Sequence, residues 1–143
     1  MKKSLTLALT SAAMLFSTFS HAAKTEKAVL AGGCFWCMES DFEKLKGVKD
    51  VISGFTGGKI KNPTYNGNHQ GHYEAVQITY DPDVVSYKGI LDHFWVNIDP
   101  FDAKGQFCDK GPSYLSAIFV ANEQERKSRN SRIPKSNSGH ANT

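Results

Sequence analysis

Cysteine is scarce in this chain, with three among 143 residues. Three is an odd number and too few for a scaffold held by structural disulfides. No second close cysteine pair accompanies Cys34 and Cys37, so a four-ligand zinc site would have to recruit Cys108, or His69 and His72. No histidine follows Cys37, where Met38 stands, which excludes the usual haem-attachment pattern. Neither a metal site nor a bound cofactor is therefore expected. The chain also lacks a basic run interleaved with aromatics, and so lacks a footprint for nucleic acid. No apolar run reaches the roughly 20 residues that a membrane-spanning helix needs.

What is present begins with Lys2 and Lys3, then a mostly apolar stretch from Leu5 to Phe19, then Ser20-His21-Ala22-Ala23. A positive start, a short apolar run and small residues at its end read as a cleaved secretory signal over residues 1–23. An exported, periplasmic location is expected, with no membrane attachment after cleavage. Disulfides can form in such a compartment. Cleavage would remove two of the 17 basic residues and none of the 14 acidic ones, leaving the mature chain close to neutral. Residues 24–126 are expected to form one domain. Residues 127–143 hold four basic residues, four serines and no acid, with only Ile133 and Ala141 apolar. Such a tail is expected to be disordered.

Within the domain, Ala28 to Leu30 reads as a buried strand that exits at Gly32-Gly33. Phe35, Met38, Phe42 and Leu45 recur at helical spacing, which predicts a helix from Cys34 to Leu45 that Gly47 can end. Val48 to Phe55 reads as a second strand. Thr56 to Gly71, rich in Gly and Asn, reads as a loop. Tyr73 to Tyr80 alternates cleanly, with Glu74, Val76, Ile78 and Tyr80 on one face. Ser86 suits the N-cap of a helix carrying Ile90, Leu91, Phe94 and Trp95. A second loop, Phe101 to Ser113, precedes a strand at Leu115 to Val120. Asn122 and Glu125 form a capping pair for a last helix. This order predicts an α/β chain of the α+β type: one two-layer domain, with a mixed sheet and helices packed on it.

The cysteine motif sits where the first strand meets the first helix. Nucleophilic chemistry needs the thiolate, and the positive end of a helix favours that form in general. Cys34 is the candidate nucleophile. Cys37 follows one helical turn later and is placed to close a disulfide with it. Phe35 fits the apolar stripe of the helix, whereas Trp36 lies beside it, as a partly exposed wall next to Cys34. Glu74 shares its face with core residues. Burial disfavours the charged carboxylate, and a protonated acid can give its proton to a departing oxygen. From periodicity alone, a glutamate reaching out to water is an equal alternative. Tyr65, His72, Asp109 and Tyr114 lie in or beside glycine-rich loops, and spacing alone assigns them no chemistry.

Several segments, taken in order, resemble the A-type peptide methionine sulfoxide reductases. They are Gly33-Cys34-Phe35-Trp36-Cys37, Gly54-Phe55-Thr56-Gly57-Gly58, Asn62-Pro63-Thr64-Tyr65, Gly71-His72-Tyr73-Glu74-Ala75, Tyr80-Asp81-Pro82, and the run from Gln106 through Cys108-Asp109 to Tyr114. The likeness extends from about Lys27 to Arg126 and implies an α/β fold around a mixed sheet. It implies reduction of the S-epimer of methionine sulfoxide in proteins or peptides. Cys34 would become a sulfenic acid, and Glu74 would donate the proton. Tyr65 and Tyr114 would bond the sulfoxide oxygen, and Asp109 would hold the polar network. Phe35 and Trp36 would hold the substrate methyl group, with His72 counted among the substrate-binding residues. Cys37, favoured by its spacing, or Cys108 would resolve the sulfenic acid. An external thiol reductant such as thioredoxin would complete the cycle. Members of the family continue for some tens of residues beyond Ala117 to Val120, so a C-terminally truncated domain is expected. Two other readings stay open: a thioredoxin-like thiol–disulfide oxidoreductase using only Cys34 and Cys37, and an inactive remnant or binding module.

Overall fold

The computed structural model describes residues 24–131. The expected signal segment, and the tail beyond residue 131, lie outside the described residues. Strand β1 (Glu26–Ala31) leads into helix α1 (Phe35–Phe42), then β2 (Val48–Thr56) and β3 (Tyr73–Tyr80). Helix α2 (Tyr87–Val96) follows. A small hairpin of β4 (Gly105–Gln106) and β5 (Asp109–Lys110) comes next. A 3-10 turn (Pro112–Tyr114), strand β6 (Ala117–Phe119) and helix α3 (Glu123–Asn130) close the described chain.

The main sheet has the order β2-β3-β1-β6. The expected two-layer α+β arrangement is present, and its strands point both ways. Neighbours, however, are antiparallel at every registered pair among the described residues. The cause is topological. Each crossover joins two strands that run the same way, and a third strand lies between them. β3 separates β1 from β2, and β1 separates β3 from β6. This is the split βαβ arrangement, used twice.

Register explains the core. Leu30 pairs with Val76 and Ala28 with Ile78, while Val51 lies across from Ile78 on the other side of β3. These residues share the face that α1 and α2 cover. Phe35, Met38 and Phe42 come down from α1, and Ile90, Leu91 and Phe94 from α2, into one buried cluster. Glu74 belongs to that same face of β3 and is 2% exposed, so the alternative of a water-reaching glutamate falls away.

Two boundaries differ from expectation. Helix α1 ends at Phe42, short of Leu45. Turn bonds from Lys44 to Asp41 and from Leu45 to Phe42 replace its last turn, because the chain must reverse at Gly47 to enter β2. At the other end, α3 runs to Asn130, past the composition change at Arg126. It buries no residue. Instead, Asn122 accepts from the Glu125 N–H, and Glu125 accepts in return from the Ala121 N–H and the Asn122 side chain. Acids in its first turn and bases in its last complement the helix dipole. Ser86 caps α2 as expected, accepting from the Gly89 N–H at 3.1 Å.

Candidate active site

Cys34 is the N-cap residue of α1, and its carbonyl accepts from the N–H groups of Cys37 and Met38. The chain reaches it through Gly33, whose φ of 92° belongs to the left-handed region. A side chain at Gly33 would meet the Cβ of Gln106 at 2.7 Å. Gln106 is 1% exposed, and its amide is fixed from several sides. Its oxygen accepts from the Asp99 N–H at 2.7 Å, and its nitrogen donates to the Asp99 carbonyl and to Ser116 Oγ. Gln106 is thus a buried wedge behind the nucleophile's turn. Gly33→Ala combines a strained φ with this close contact. It should cost about 2–4 kcal/mol of stability, read as a lower urea midpoint, and should reduce activity because Cys34 must move.

Glu74 comes to the same place from β3. Its Oε2 accepts from the Phe35 N–H at 3.1 Å, a bond that spans 39 positions of sequence. The carboxyl therefore sits against the first residue after Cys34. Burial pushes its pKa above the usual carboxylate range. The bond from Phe35 and the charge on His69 pull it down, while Asp109 adds to the rise. A carboxyl held this way keeps its proton to higher pH than an exposed one.

Around this pair stands a cluster of rings. Phe35 is buried, whereas Trp36 is 56% and Tyr65 49% exposed. Trp36 lies 4.9 Å from the Tyr65 ring and 5.3 Å from that of Phe35. Phe55 closes the cluster behind Phe35 at 5.4 Å. The expected exposed wall at Trp36 is there, and Tyr65 comes from the loop 57–72 to face it. Tyr114 lies near Glu74, whose charge is the first cause of a raised pKa for its hydroxyl; burial, Tyr65, Asp109 and Cys34 add to it. Its hydroxyl therefore stays a hydrogen-bond donor.

The Cys37 thiol is also pushed up, first by its hydrogen bond to the Cys34 side chain, then by burial and by the charges of Cys34, Asp109 and Glu74. A Cys37 thiol that holds its proton is placed to donate to the Cys34 side chain. Asp109 is exposed on β5, close enough for its charge to act on Glu74, Cys37 and Tyr114. A cleft of about 270 Å³ opens beside the two thiols, with Met38, Phe42, Phe94 and Phe107 among its walls. Cys108 is exposed on the β4–β5 turn, between Phe107 and Asp109, both of which line that cleft.

His72 is placed differently from the other expected site residues. It is 6% exposed, and its Nε2 lies 3.1 Å from the Ile60 carbonyl. A side chain at Gly58 would collide with its ring at 2.2 Å. It fills the inside of the loop 57–72 rather than facing the thiols. Two residues near the site, Gln106 and His69, had no place in it from sequence, where His69 was named only as a possible zinc ligand. Gln106 gave only the signal of a polar residue beside the Cys108-Asp109 run. His69 stacks on Phe55 at 4.7 Å and acts on Glu74, and its signal was a histidine five residues before that acid.

The comparisons with known proteins fit this geometry. The family model for peptide methionine sulfoxide reductase matches residues 26–142. Peptide methionine sulfoxide reductase MsrA 2 of Caulobacter vibrioides is 55% identical over 106 residues, 72% of this chain and 54% of that protein. Peptide methionine sulfoxide reductase MsrA of Bacillus licheniformis is 52% identical over 109 residues, 74% of this chain and 60% of that protein. The solved structure of methionine sulfoxide reductase A of Corynebacterium diphtheriae superposes with a TM-score of 0.69 at 32% identity, covering 74% of this chain and 53% of that one. The chain thus spans between half and two thirds of the length of these relatives. By the match of the family model over residues 26–142, the chain belongs to the peptide methionine sulfoxide reductase family.

Proposed function

We propose that this chain reduces methionine S-sulfoxide in peptides or proteins to methionine, with Cys34 as nucleophile and Glu74 as acid. The observation that carries this reading is the bond from the Phe35 N–H to Glu74, which holds a buried carboxyl against the residue after Cys34. A sulfoxide oxygen leaves poorly until it is protonated. The Cys34 thiolate attacks the sulfur while Glu74 gives its proton to the oxygen. The oxygen passes to Cys34 as a sulfenic acid, methionine leaves as the thioether, and Glu74 remains as carboxylate. Two electrons have moved from Cys34 to the substrate sulfur.

The rings have a part in this scheme. Phe35 and Trp36 take the apolar methyl group. A protonated sulfoxide carries positive charge on sulfur, and aromatic faces attract cations. Tyr65 and Tyr114 donate to the oxygen, and Asp109 orients the polar side. Cys37 then condenses with the sulfenic acid, releasing water and leaving a disulfide. Its hydrogen bond to Cys34 supports this choice over Cys108. An external dithiol of the thioredoxin kind restores both thiols, in an exported, periplasmic setting. No bound cofactor enters the scheme. A plain thiol–disulfide oxidoreductase would use the same two cysteines but would leave Glu74 and the ring cluster without a role.

The test is single-turnover reduction of the two separated epimers of a methionine sulfoxide peptide by the pre-reduced chain. Consumption of the S-epimer, close to one equivalent per chain in excess of the R-epimer, is the expected result. A folded chain that leaves both epimers intact would sink the proposal.

A further inference from the structure

Cys108, Asp109 and Tyr114 lie on one irregular segment. It runs from Asp99, soon after α2, to Ser116, just before β6. Between these ends only Gly105 and Gln106 are buried, so Gln106 is the one buried side chain that the segment has. A segment with so little buried surface owes its position to specific bonds.

The Gln106 carboxamide supplies them. Its Oε1 accepts from the Asp99 N–H at 2.7 Å, and its Nε2 donates to the Asp99 carbonyl at 2.7 Å and to Ser116 Oγ at 2.8 Å. Both amide hydrogens are used. Asp99 and Ser116 are the two ends of the segment, so a single side chain ties them together. The backbone carries the tie onward. Gln106 pairs with Asp109, and Gly105 with Lys110. The Gly111 N–H donates to the Lys104 carbonyl at 2.8 Å, and the Tyr114 N–H to the Gly111 carbonyl at 3.1 Å. Hydrogen bonds thus lead from Gln106 to Asp109 and on to Tyr114. The same side chain reaches the nucleophile's turn, since its Cβ leaves only 2.7 Å for a Cβ at Gly33, the residue before Cys34. Cys34, Cys37, Gln106 and Asp109 line one cleft.

We propose that Gln106 sets the spacing between the two halves of the site, holding the segment that carries Asp109 and Tyr114 against the turn that carries Cys34. This rests on the sulfoxide chemistry proposed above, in which Cys34 attacks sulfur while Tyr114 and Asp109 serve the oxygen. Sulfur and oxygen are bonded to each other, so both halves must be in place at once. An error of about 1 Å in such a geometry costs on the order of 10²-fold in rate. Gln106 is a positioning residue in this account, because it acts only through Gly33 and through the segment.

Gln106→Met in the full chain keeps the length of the side chain and its packing beneath Gly33 but removes all three bonds. The limiting single-turnover rate should fall roughly 10- to 100-fold. The sulfoxide concentration at half-saturation should stay within about twofold, because the rings that take the methyl group stand on α1. A merely structural role would lower the urea midpoint and leave the limiting rate of the folded chain unchanged, and that result overturns the proposal. In a chain that already carries Asp109→Asn and Tyr114→Phe, the same substitution should slow the reaction by less than about threefold, since the groups it positions are gone. Equal losses in both backgrounds overturn it. Ser116→Ala removes one bond of the three and carries the test where Gln106→Met does not fold. An intermediate loss of rate is expected there, and a wild-type rate counts against the proposal. Amide hydrogen exchange needs no turnover. In either variant exchange should quicken from Lys104 to Tyr114 and stay unchanged in β3, and unaltered protection of the segment overturns the proposal. A wild-type chain that makes no methionine would refute the sulfoxide reading, while the exchange still decides whether Gln106 holds the segment.

Discussion

Cys34→Ser is expected to lower single-turnover sulfoxide reduction by at least about 10³-fold, with the fold retained. A serine hydroxyl is a weak nucleophile towards sulfur and cannot form the sulfenic acid. The N-cap position tolerates serine well, so the helix start should survive. Cys34 is only half-buried, and the substitution leaves little cavity. Circular dichroism and the urea midpoint should therefore match wild type while methionine formation, followed by chromatography, disappears. Measurable turnover in the variant would move the chemistry to Cys37 or Cys108.

Glu74→Gln is the second large effect. It keeps the shape and can still accept from the Phe35 N–H, but it has no proton to donate. A loss of roughly 10²–10⁴-fold in the single-turnover rate is expected. The pH profile is more telling. In the proposed mechanism the acid form of Glu74 is the active one, and burial has moved its pKa up. Wild-type activity should hold above the usual carboxylate range and fall as pH rises through the raised value. The variant should lose that limb. Stability should respond in the same direction. Between the ordinary carboxylate value and the raised one, the folded chain binds more protons than the unfolded chain, so stability falls as pH rises. Glutamine removes that dependence. Urea midpoints across the window should therefore drop for wild type and stay flatter for the variant. A pH-independent wild-type rate would refute the role of Glu74 as acid.

Much of the frame could be read locally. The alternation of Tyr73–Tyr80 placed Glu74 on the core face, and its neighbours Val76 and Ile78 are buried there. Ser86 and the Asn122–Glu125 pair marked helix starts through chemistry that acts over three residues. The glycines before Cys34 marked the turn that aims it. What could not be read locally depends on chain reversal or on distant partners. The early end of α1 depends on the entry into β2. The neighbour order of the sheet depends on which strand fills each crossover. Gln106 matters because Gly33 passes over it, 73 positions earlier. His72 stood two residues before the acid, yet it lies outside β3 and packs under Gly58, while His69 came round the loop to Phe55. Adjacency along the chain and adjacency in space were opposed at these two histidines.

The register of β3 carries one more consequence. Side chains of a strand alternate, so a slip of one residue would send Glu74 to the open face and bring Tyr73 or Ala75 beneath α1. Cys34 would still stand at its helix start, since that turn is built on β1 and α1. A chain caught with β3 detached or misaligned would thus carry a nucleophile without its acid. It would meet peroxides as a bare thiol and be oxidised itself, with no sulfoxide to consume. Correct pairing of β3 is in this sense a safety catch: the same register that completes the sheet brings the acid to the cysteine, and a chain without that register carries the reactive thiol alone.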